Sequence, residues 1–293
     1  MTSSAAPLFS LAGKKGLILG GANDRSIAWG CTKLFRELGA DVVATCLNEK
    51  ARKYVQPLTD AVGVDLLNCD VEEPGQLEAA VAHAVDKFGQ IDFLIHSIAW
   101  APLADLHGQV VDSSRDGFAR AMSVSCHSFA EVAKLCAPHM PAGGSMLSMT
   151  YLGSGEVVPN YGVMGPVKAA LESLVRYMAM ELGPQNIRVH AVSPGPILTR
   201  AASGIAEFDQ LLSINRDKAP LKRLVTLEEI AQLSAFLCMD AACSLRHERP
   251  DNLRGRWCAR HGLSLVPELH SYAGLSLHSY FSGAALVRPL CSP

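Results

Sequence analysis

The chain lacks the features that mark several large functional classes. Its 26 basic and 28 acidic side chains leave a net charge of −2 over 293 residues, so it has no electrostatic footprint for nucleic acid or an anionic membrane. No apolar run approaches the roughly 18 residues that a membrane span requires. Residues 1–10 lack a basic segment followed by an apolar one, so we expect no signal peptide and a cytoplasmic location.

The cysteines are informative mainly through the kinds of site that they exclude. They number nine, an odd count, and none forms a Cys-x-x-Cys pair, which argues against a disulfide framework and a zinc site. Several fall on predicted strands or helices, where a reduced thiol behaves as a small apolar residue. We therefore expect reduced, mostly buried cysteines and no bound metal.

The chain has enough apolar residues for one large core. Hydrophobic residues make up 49% of it, which suits a single domain over residues 1–245. Short apolar runs alternate with amphipathic helical segments, as in parallel strands that are covered on both faces. We therefore predict an α/β fold, a Rossmann-type doubly wound parallel sheet with helices on both faces. The predicted strands are 16–20, 41–46, 64–69, 91–99 with its exit loop, 145–150 and 186–193.

Residues 151–168 contain the side chains with the clearest chemical meaning. They follow a predicted strand and enter a helix that begins near Pro166, so they lie at the carboxyl edge of the sheet, where open α/β proteins bind ligands. Tyr161 precedes Lys168 by seven positions, and Met164 stands four positions before the lysine, where common short-chain dehydrogenases have tyrosine. This Tyr-x6-Lys spacing resembles the enoyl-acyl-carrier-protein reductases of bacterial type II fatty-acid synthesis, over roughly residues 9–245.

Three other segments have the same resemblance. Residues 20–30 form a glycine-rich turn without the Gly-x-Gly-x-x-Gly spacing, and Ser-Ile-Ala precedes the last glycine. Such a turn lets the backbone approach a pyrophosphate at a helix N-terminus, although alone it is weak evidence. Residues 96–102 read His-Ser-Ile-Ala-Trp-Ala-Pro, and residues 194–199 read Pro-Gly-Pro-Ile-Leu-Thr. Both resemble segments that line the nicotinamide site in these reductases.

The resemblance implies a set of residues that bind the cofactor. Asp70 and Val71 would bracket the adenine ring, Ile98 would lie beside the nicotinamide ribose, and Ile197 and Thr199 would bind the carboxamide and the pyrophosphate. In isolation, an aspartate after a strand is as often a helix N-cap. The full implied set is Gly20, Ser26, Ile27, Leu47, Asp70, Val71, Ile98, Lys168, Ile197, Leu198, Thr199, Arg200 and Ala201.

The cofactor preference depends on the tip of the second predicted strand. An acidic residue there favours NAD and an arginine favours NADP, and Leu47 is neither. We expect NADH because no arginine stands at the tip, while NADPH stays open. Lys50, Arg52 and Lys53 lie on the helix that follows, either within reach of a 2′-phosphate or on a solvated face.

The resemblance also implies the reaction. NADH would reduce the trans-2 double bond of an enoyl thioester on acyl carrier protein. Tyr161 would donate a hydrogen bond to the thioester oxygen, Lys168 would bind the nicotinamide ribose, and Tyr151 would shape the site. Residues 201–208 would form a mobile lid. The helices of residues 118–137 and 166–182 would form the dimer interface of a homo-oligomer, which would be a homotetramer if the C-terminus permits. The residues expected to bind the substrate are Ala101, Tyr151, Tyr161, Met164, Ala201, Ile205 and Phe208.

Two other functions stay open. One is a carbonyl or alcohol dehydrogenase of the same superfamily, against which the missing tyrosine at position 164 argues. The other is an inactive protein that binds cofactor but lacks an intact C-terminus. His96 is interpreted as a structural histidine, because the sequence pairs it with no nucleophile.

Beyond Leu245 the resemblance ends. The family has Thr-Gly, a last strand and Val-Asp-Gly-Gly at its end, and residues 246–293 contain none of these. Codons for residues 254–258, Arg-Gly-Arg-Trp-Cys, permit Val-Asp-Gly-Gly when they are read one base out of phase. We therefore expect a frameshifted reading of the normal end, with the last strand missing and an irregular tail. A divergent tail is the alternative.

Overall fold

Six apolar segments form one parallel sheet in the computed structural model of the protein, which describes residues 9–199 and 208–242. The strand order within this part of the chain is β3-β2-β1-β4-β5-β6, and all neighbouring strands run parallel. This order is that of a dinucleotide-binding Rossmann sheet, so the predicted fold class is confirmed. The strands are β1 (Lys15–Gly21), β2 (Asp41–Cys46), β3 (Asp65–Asn68), β4 (Phe93–His96), β5 (Gly144–Met149) and β6 (Ile187–Val192).

Helices cover both faces of the sheet, because every central strand is apolar on both sides. In β1, Leu17 and Leu19 pack into one core cluster and Ile18 packs into the other, and all three are fully buried. The first cluster contains residues of α3, α6 and α7, and the second contains residues of α1, α2 and α9. The helices are α1 (Ile27–Glu37), α2 (Glu49–Ala61), α3 (Gln76–Phe88), α4 (Leu103–His107), α5 (Arg115–Met122), α6 (Ser128–Cys136), α7 (Met164–Leu182), α8 (Phe208–Lys218) and α9 (Leu227–Cys238).

One predicted helix contains a π-helical turn. The apolar spacing predicts a helix over residues 118–137, and the chain is helical there, as α5 and α6 joined by the π-helical turn Ser123–His127. A π turn inserts one residue into the helical repeat without changing the apolar pattern enough to be seen in the sequence.

The described cysteines are free and buried, as the sequence predicts. Burial raises the pKa of the thiols of Cys31, Cys69 and Cys136 to about 12, so these groups stay protonated at neutral pH. The full described set is Cys31, Cys46, Cys69, Cys126, Cys136 and Cys238.

The described residues all belong to one compact unit. None of their helices combines the length and apolar character needed to cross a membrane, and no group of three or more potential metal ligands occurs among them. The predicted loss of a seventh strand and the predicted irregular tail concern residues that lie outside the described ranges.

Candidate active site

The strand order reverses between β1 and β4, and a crevice at the carboxyl ends of these strands is where such sheets bind ligands. Gly20 lies at this point with a φ of +100°, and a Cβ there would stand 2.2 Å from the carbonyl oxygen of Ser97. Ile98, which was predicted to lie beside the nicotinamide ribose, follows in the same exit loop and is half-buried. A glycine is therefore required for β1 and the exit of β4 to meet at the crevice.

The turn between β1 and α1 suits a pyrophosphate. The hydroxyl of Ser26 donates to the carbonyl of Asn23 at 2.7 Å and accepts from the N–H of Ala22 at 3.3 Å, which holds the turn closed. Ser26 is the N-cap of α1 but makes no side-chain bond to the first N–H groups of the helix, and the first turn contains no acidic residue. These N–H groups and the positive end of the helix dipole can therefore face an anion.

The segment after β3 was predicted to bind adenine. Asp70 is not the N-cap of α3: that position belongs to Gly75, so the N-cap alternative is wrong. The carboxylate of Asp70 accepts a hydrogen bond from the N–H of Glu72 at 3.1 Å. One carboxylate oxygen thus fixes the local turn, which leaves the other oxygen for a ligand N–H, while Val71 packs against the core.

The tip of β2 offers no arginine to a 2′-phosphate. Leu47 is 50% exposed there. Arg52 on α2 turns back to the sheet, where it donates to Asn68 Oδ1 at 3.1 Å and to the carbonyl of Leu66 at 3.0 Å, and it pairs with Glu49 at 3.3 Å. Since the guanidinium already has these partners, the geometry favours NADH.

Tyr151 and Tyr161 meet just after the end of β5, and Lys168 contacts the last residue of that strand. The two phenol rings pack edge to face, with centroids 5.0 Å apart and planes at 61°. The ammonium of Lys168 donates to the carbonyl of Met149 at 2.7 Å, and this side chain lies in α7, the helix that follows the tyrosines. The sequence predicted the helix to begin near Pro166, and it begins at Met164.

Burial sets the protonation of these groups. Tyr161 is only 8% exposed, and its burial raises the pKa of the phenol well above 10, with a smaller contribution from Tyr151. Burial lowers the pKa of Lys168 from 10.5 to about 8. At neutral pH the site therefore contains a phenol that can donate a hydrogen bond and a lysine that is still charged.

His96 is a structural histidine, as the sequence indicates. It is fully buried, with Nε2 2.8 Å from the hydroxyl of Ser128 and Nδ1 3.0 Å from that of Ser148. Burial, with a smaller contribution from the nearby charge of Lys168, lowers its pKa to about 3. The imidazole is therefore neutral and tied between β5 and α6.

Sequence reasoning missed the residues that hold the loop before Ala101. The N–H of Trp100 donates to the hydroxyl of Ser125 at 2.7 Å, and that hydroxyl donates to the carbonyl of Trp100 at 2.8 Å. Arg120 stacks 4.2 Å above the indole ring and forms two hydrogen bonds with Glu72, at 2.6 and 2.7 Å. Ser125 lies in the π-helical turn, so no sequence pattern could have indicated this contact.

The remaining predicted site residues are only partly described. In the loop after β6, the N–H of Thr199 donates to the carbonyl of Ile197 at 2.9 Å, and Leu198 is partly exposed. Met164 is buried in the same core cluster as Tyr161, and its place in the acyl slot stays a prediction. Ile27 is half-buried at the start of α1. The predicted lid, with Arg200, Ala201, Ile205 and the side chain of Phe208, lies outside the described residues.

Comparisons with known proteins agree on one family. A family model described as enoyl-(acyl carrier protein) reductase matches residues 20–246. The chain is 44% identical over 237 residues to an enoyl-[acyl-carrier-protein] reductase [NADH] of Rhizobium meliloti, covering 80% of this chain and 87% of that protein. It is 39% identical over 243 residues to the corresponding Bacillus subtilis protein, covering 82% and 94%.

Solved structures of such reductases superpose well on the chain. One is the enzyme from Anaplasma phagocytophilum in complex with NAD, at 40% identity and a TM-score of 0.76, over 80% of this chain and 90% of that one. Another is the Bacillus cereus enzyme with NADP+ and indole naphthyridinone, at 40% identity and a TM-score of 0.77, over 80% and 92%. The family match ends at residue 246, next to the predicted break after Leu245. Resequencing the coding DNA tests the frameshift, since an uninterrupted frame in independent reads would contradict it.

Proposed function

Because the chain belongs to the enoyl-(acyl carrier protein) reductase family, we propose that it reduces the trans-2 double bond of enoyl thioesters in fatty-acid elongation, with NADH as the reductant. The observation that carries this proposal is the buried pair of Tyr161 and Lys168, seven positions apart, at the carboxyl edge of the sheet. Both side chains are buried, and the ammonium lies at the strand end that leads into Tyr151, whose ring packs on that of Tyr161.

The crevice residues fit NADH. The N-terminus of α1 would hold the pyrophosphate, Asp70 and Val71 the adenine, and Lys168 the nicotinamide ribose. The support is the uncapped helix end, the tight approach at Gly20 and the buried ammonium. When bound, NADH supplies the hydride for the β-carbon of the substrate.

Tyr161 acts on the thioester oxygen. Negative charge accumulates on this oxygen as the double bond is reduced, and a hydrogen bond is most effective where charge develops in the transition state. The raised pKa keeps the phenol protonated, so it donates a hydrogen bond and does not act as a base. Tyr151, packed against it, shapes the same pocket.

Lys168 binds and orients the nicotinamide ribose. One of its three N–H donors is used by the carbonyl of Met149, so two would remain for the ribose hydroxyls. Its positive charge also favours negative charge on the nearby oxygen. Both effects depend on the ammonium form.

The proposal also covers the carrier of the substrate and the oligomeric state of the protein. An acyl-carrier-protein thioester is the substrate, following the names of the relatives. A homotetramer built through α7 is supported by Tyr177 and Met180, large apolar side chains on that helix that are 68% and 73% exposed. The cytoplasmic location and the single domain over residues 1–245 stay predictions.

An NADH oxidation assay with the full-length chain tests the function. Crotonyl thioesters of acyl carrier protein and of coenzyme A are expected to consume NADH, whereas the saturated butyryl thioester, which has no double bond to reduce, is not. Oxidation of simple alcohols with NAD in place of this activity would favour the alcohol dehydrogenase. NADH binding without turnover of any enoyl thioester would favour the inactive cofactor-binding protein.

A further inference from the structure

Glu172 lies one helical turn beyond Lys168 on α7 and faces the segment that contains Tyr151. One oxygen of its carboxylate, Oε1, accepts a hydrogen bond from the hydroxyl of Thr150 at 2.9 Å. The same oxygen accepts a second, short hydrogen bond from the hydroxyl of Ser154. These hydroxyls flank Tyr151 on both sides along the chain, so a single carboxylate ties down the segment that holds this phenol.

This segment is a tight turn that packs on the second phenol. Leu152–Ser154 form a 3₁₀ turn, closed by a hydrogen bond from the N–H of Ser154 to the carbonyl of Tyr151 at 2.9 Å. A Cβ at Gly153 would stand 2.4 Å from Cδ1 of Tyr161. The backbone of the turn therefore lies directly against the ring of Tyr161, and any shift of the turn would be passed to that ring.

Tyr161 depends on this support because it lies in no helix or strand. It precedes α7 in a loop and follows Asn160, which has a φ of +60°. Its ring is located by packing against Tyr151 and against the backbone at Gly153. The hydrogen bonds that fasten the turn therefore also restrict the ring of Tyr161, which is not held by the backbone of a helix or strand.

We propose that Glu172 is a positioning residue for the reduction: through Thr150 and Ser154 it fastens the 3₁₀ turn, and thereby holds Tyr151 and Tyr161 in the geometry that the reaction needs. This inference rests on the proposed function, because it assigns the tether to the same reacting site. Small displacements of a donor from its productive position cost rate steeply, so the effect falls on kcat.

The charge of Glu172 has a second, smaller effect. Burial lowers the pKa of Lys168 to about 8, and the negative charges that oppose this shift include that of Glu172. Glutamine at position 172 can still accept hydrogen bonds from the two hydroxyls through its carbonyl oxygen but has no charge. Comparing Glu172→Gln with Glu172→Ala therefore separates the effect of losing the hydrogen bonds from the effect of losing the charge.

A series of variants in the full-length chain tests the tether. Glu172→Ala is expected to lower kcat by about 10- to 100-fold while the Kd for NADH changes less than threefold, and Glu172→Gln is expected to recover most of kcat. Ser154→Ala is expected to lower kcat by a smaller factor, and to have no further effect in a Glu172→Ala background. The control is Glu181→Ala, an exposed carboxylate near the end of the same helix, which is expected to match the wild type.

Backbone hydrogen exchange gives a readout that needs neither NADH nor turnover. Glu172→Ala is expected to speed exchange over residues 150–161, and Glu181→Ala is not. A kcat for Glu172→Ala within threefold of the wild type, or an additive loss in the double variant, would overturn the proposal. If Glu172→Ala does not fold, Glu172→Gln and Ser154→Ala carry the same comparison. A wild-type chain that reduces no enoyl thioester refutes the proposed function, whereas unchanged exchange in folded Glu172→Ala refutes the tether alone.

Discussion

Replacing Tyr161 by phenylalanine is expected to lower kcat by about 10²–10³-fold and to leave the Kd for NADH unchanged. The phenylalanine ring keeps the packing against Tyr151 and the turn at Gly153, so only the hydroxyl is lost. That hydroxyl is the donor to the oxygen on which charge develops. Steady-state kinetics with crotonyl thioester and a fluorescence titration with NADH measure the two effects separately.

The matched control is Tyr54→Phe, which removes a hydroxyl from an exposed tyrosine on α2. It is expected to have wild-type turnover. Burial raises the pKa of Tyr161, so its ionisation should produce no limb in the pH profile of kcat near neutrality. A Tyr161→Phe variant within threefold of wild-type turnover would remove this phenol from the mechanism.

Replacing Lys168 by methionine is expected to weaken NADH binding by about 10- to 100-fold, since charge-assisted hydrogen bonds of about 1.5–3 kcal/mol are lost. The free energy of unfolding of the apo protein is not expected to fall with it. A pKa lowered from 10.5 to about 8 corresponds to a burial penalty of about 3 kcal/mol. Methionine removes this penalty, which offsets the hydrogen bond lost at the carbonyl of Met149. Calorimetric titration and urea unfolding at pH 7 measure the two quantities.

Lys168 also makes the free energy of unfolding depend on pH, in a direction that follows from its pKa. Because the pKa of Lys168 is lower in the folded state, the unfolded chain binds more protons between about pH 8 and pH 10.5, and this group makes the folded protein more stable as the pH rises through that window. Besides burial, Cys126 and Glu172 act electrostatically on the ammonium, and both act in the direction that raises its pKa. The difference in unfolding free energy between the wild type and Lys168→Met isolates the effect, and a difference that does not change with pH would contradict it.

The strands could be predicted because each depends on the local pattern of apolar and polar residues. The second strand begins and ends at the predicted residues, Asp41 and Cys46, because its apolar run is bounded by a polar residue on one side and a turn on the other. The burial of Tyr161 and Lys168 is seen in the structure, whereas their joint role in the reaction stays a prediction from their spacing along the chain.

Contacts between distant segments could not be predicted in this way. Glu172 reads as an ordinary polar position on α7, and only the fold brings it to Thr150 and Ser154. Ser125 contacts Trp100 because it lies in a π-helical turn, which changes the direction of its side chain. The apolar periodicity of the helix does not indicate such an insertion. The N-cap alternative for Asp70 failed because the chain makes a further turn before α3 begins.

A crystal structure of the full-length chain with NAD+ and an unreactive acyl thioester would show whether Tyr161 contacts the substrate. We expect the hydroxyl of Tyr161 within about 2.6–3.2 Å of the thioester oxygen, and the ammonium of Lys168 on the nicotinamide ribose. A thioester oxygen held by other groups, with the phenol turned away from the nicotinamide ring, would contradict it.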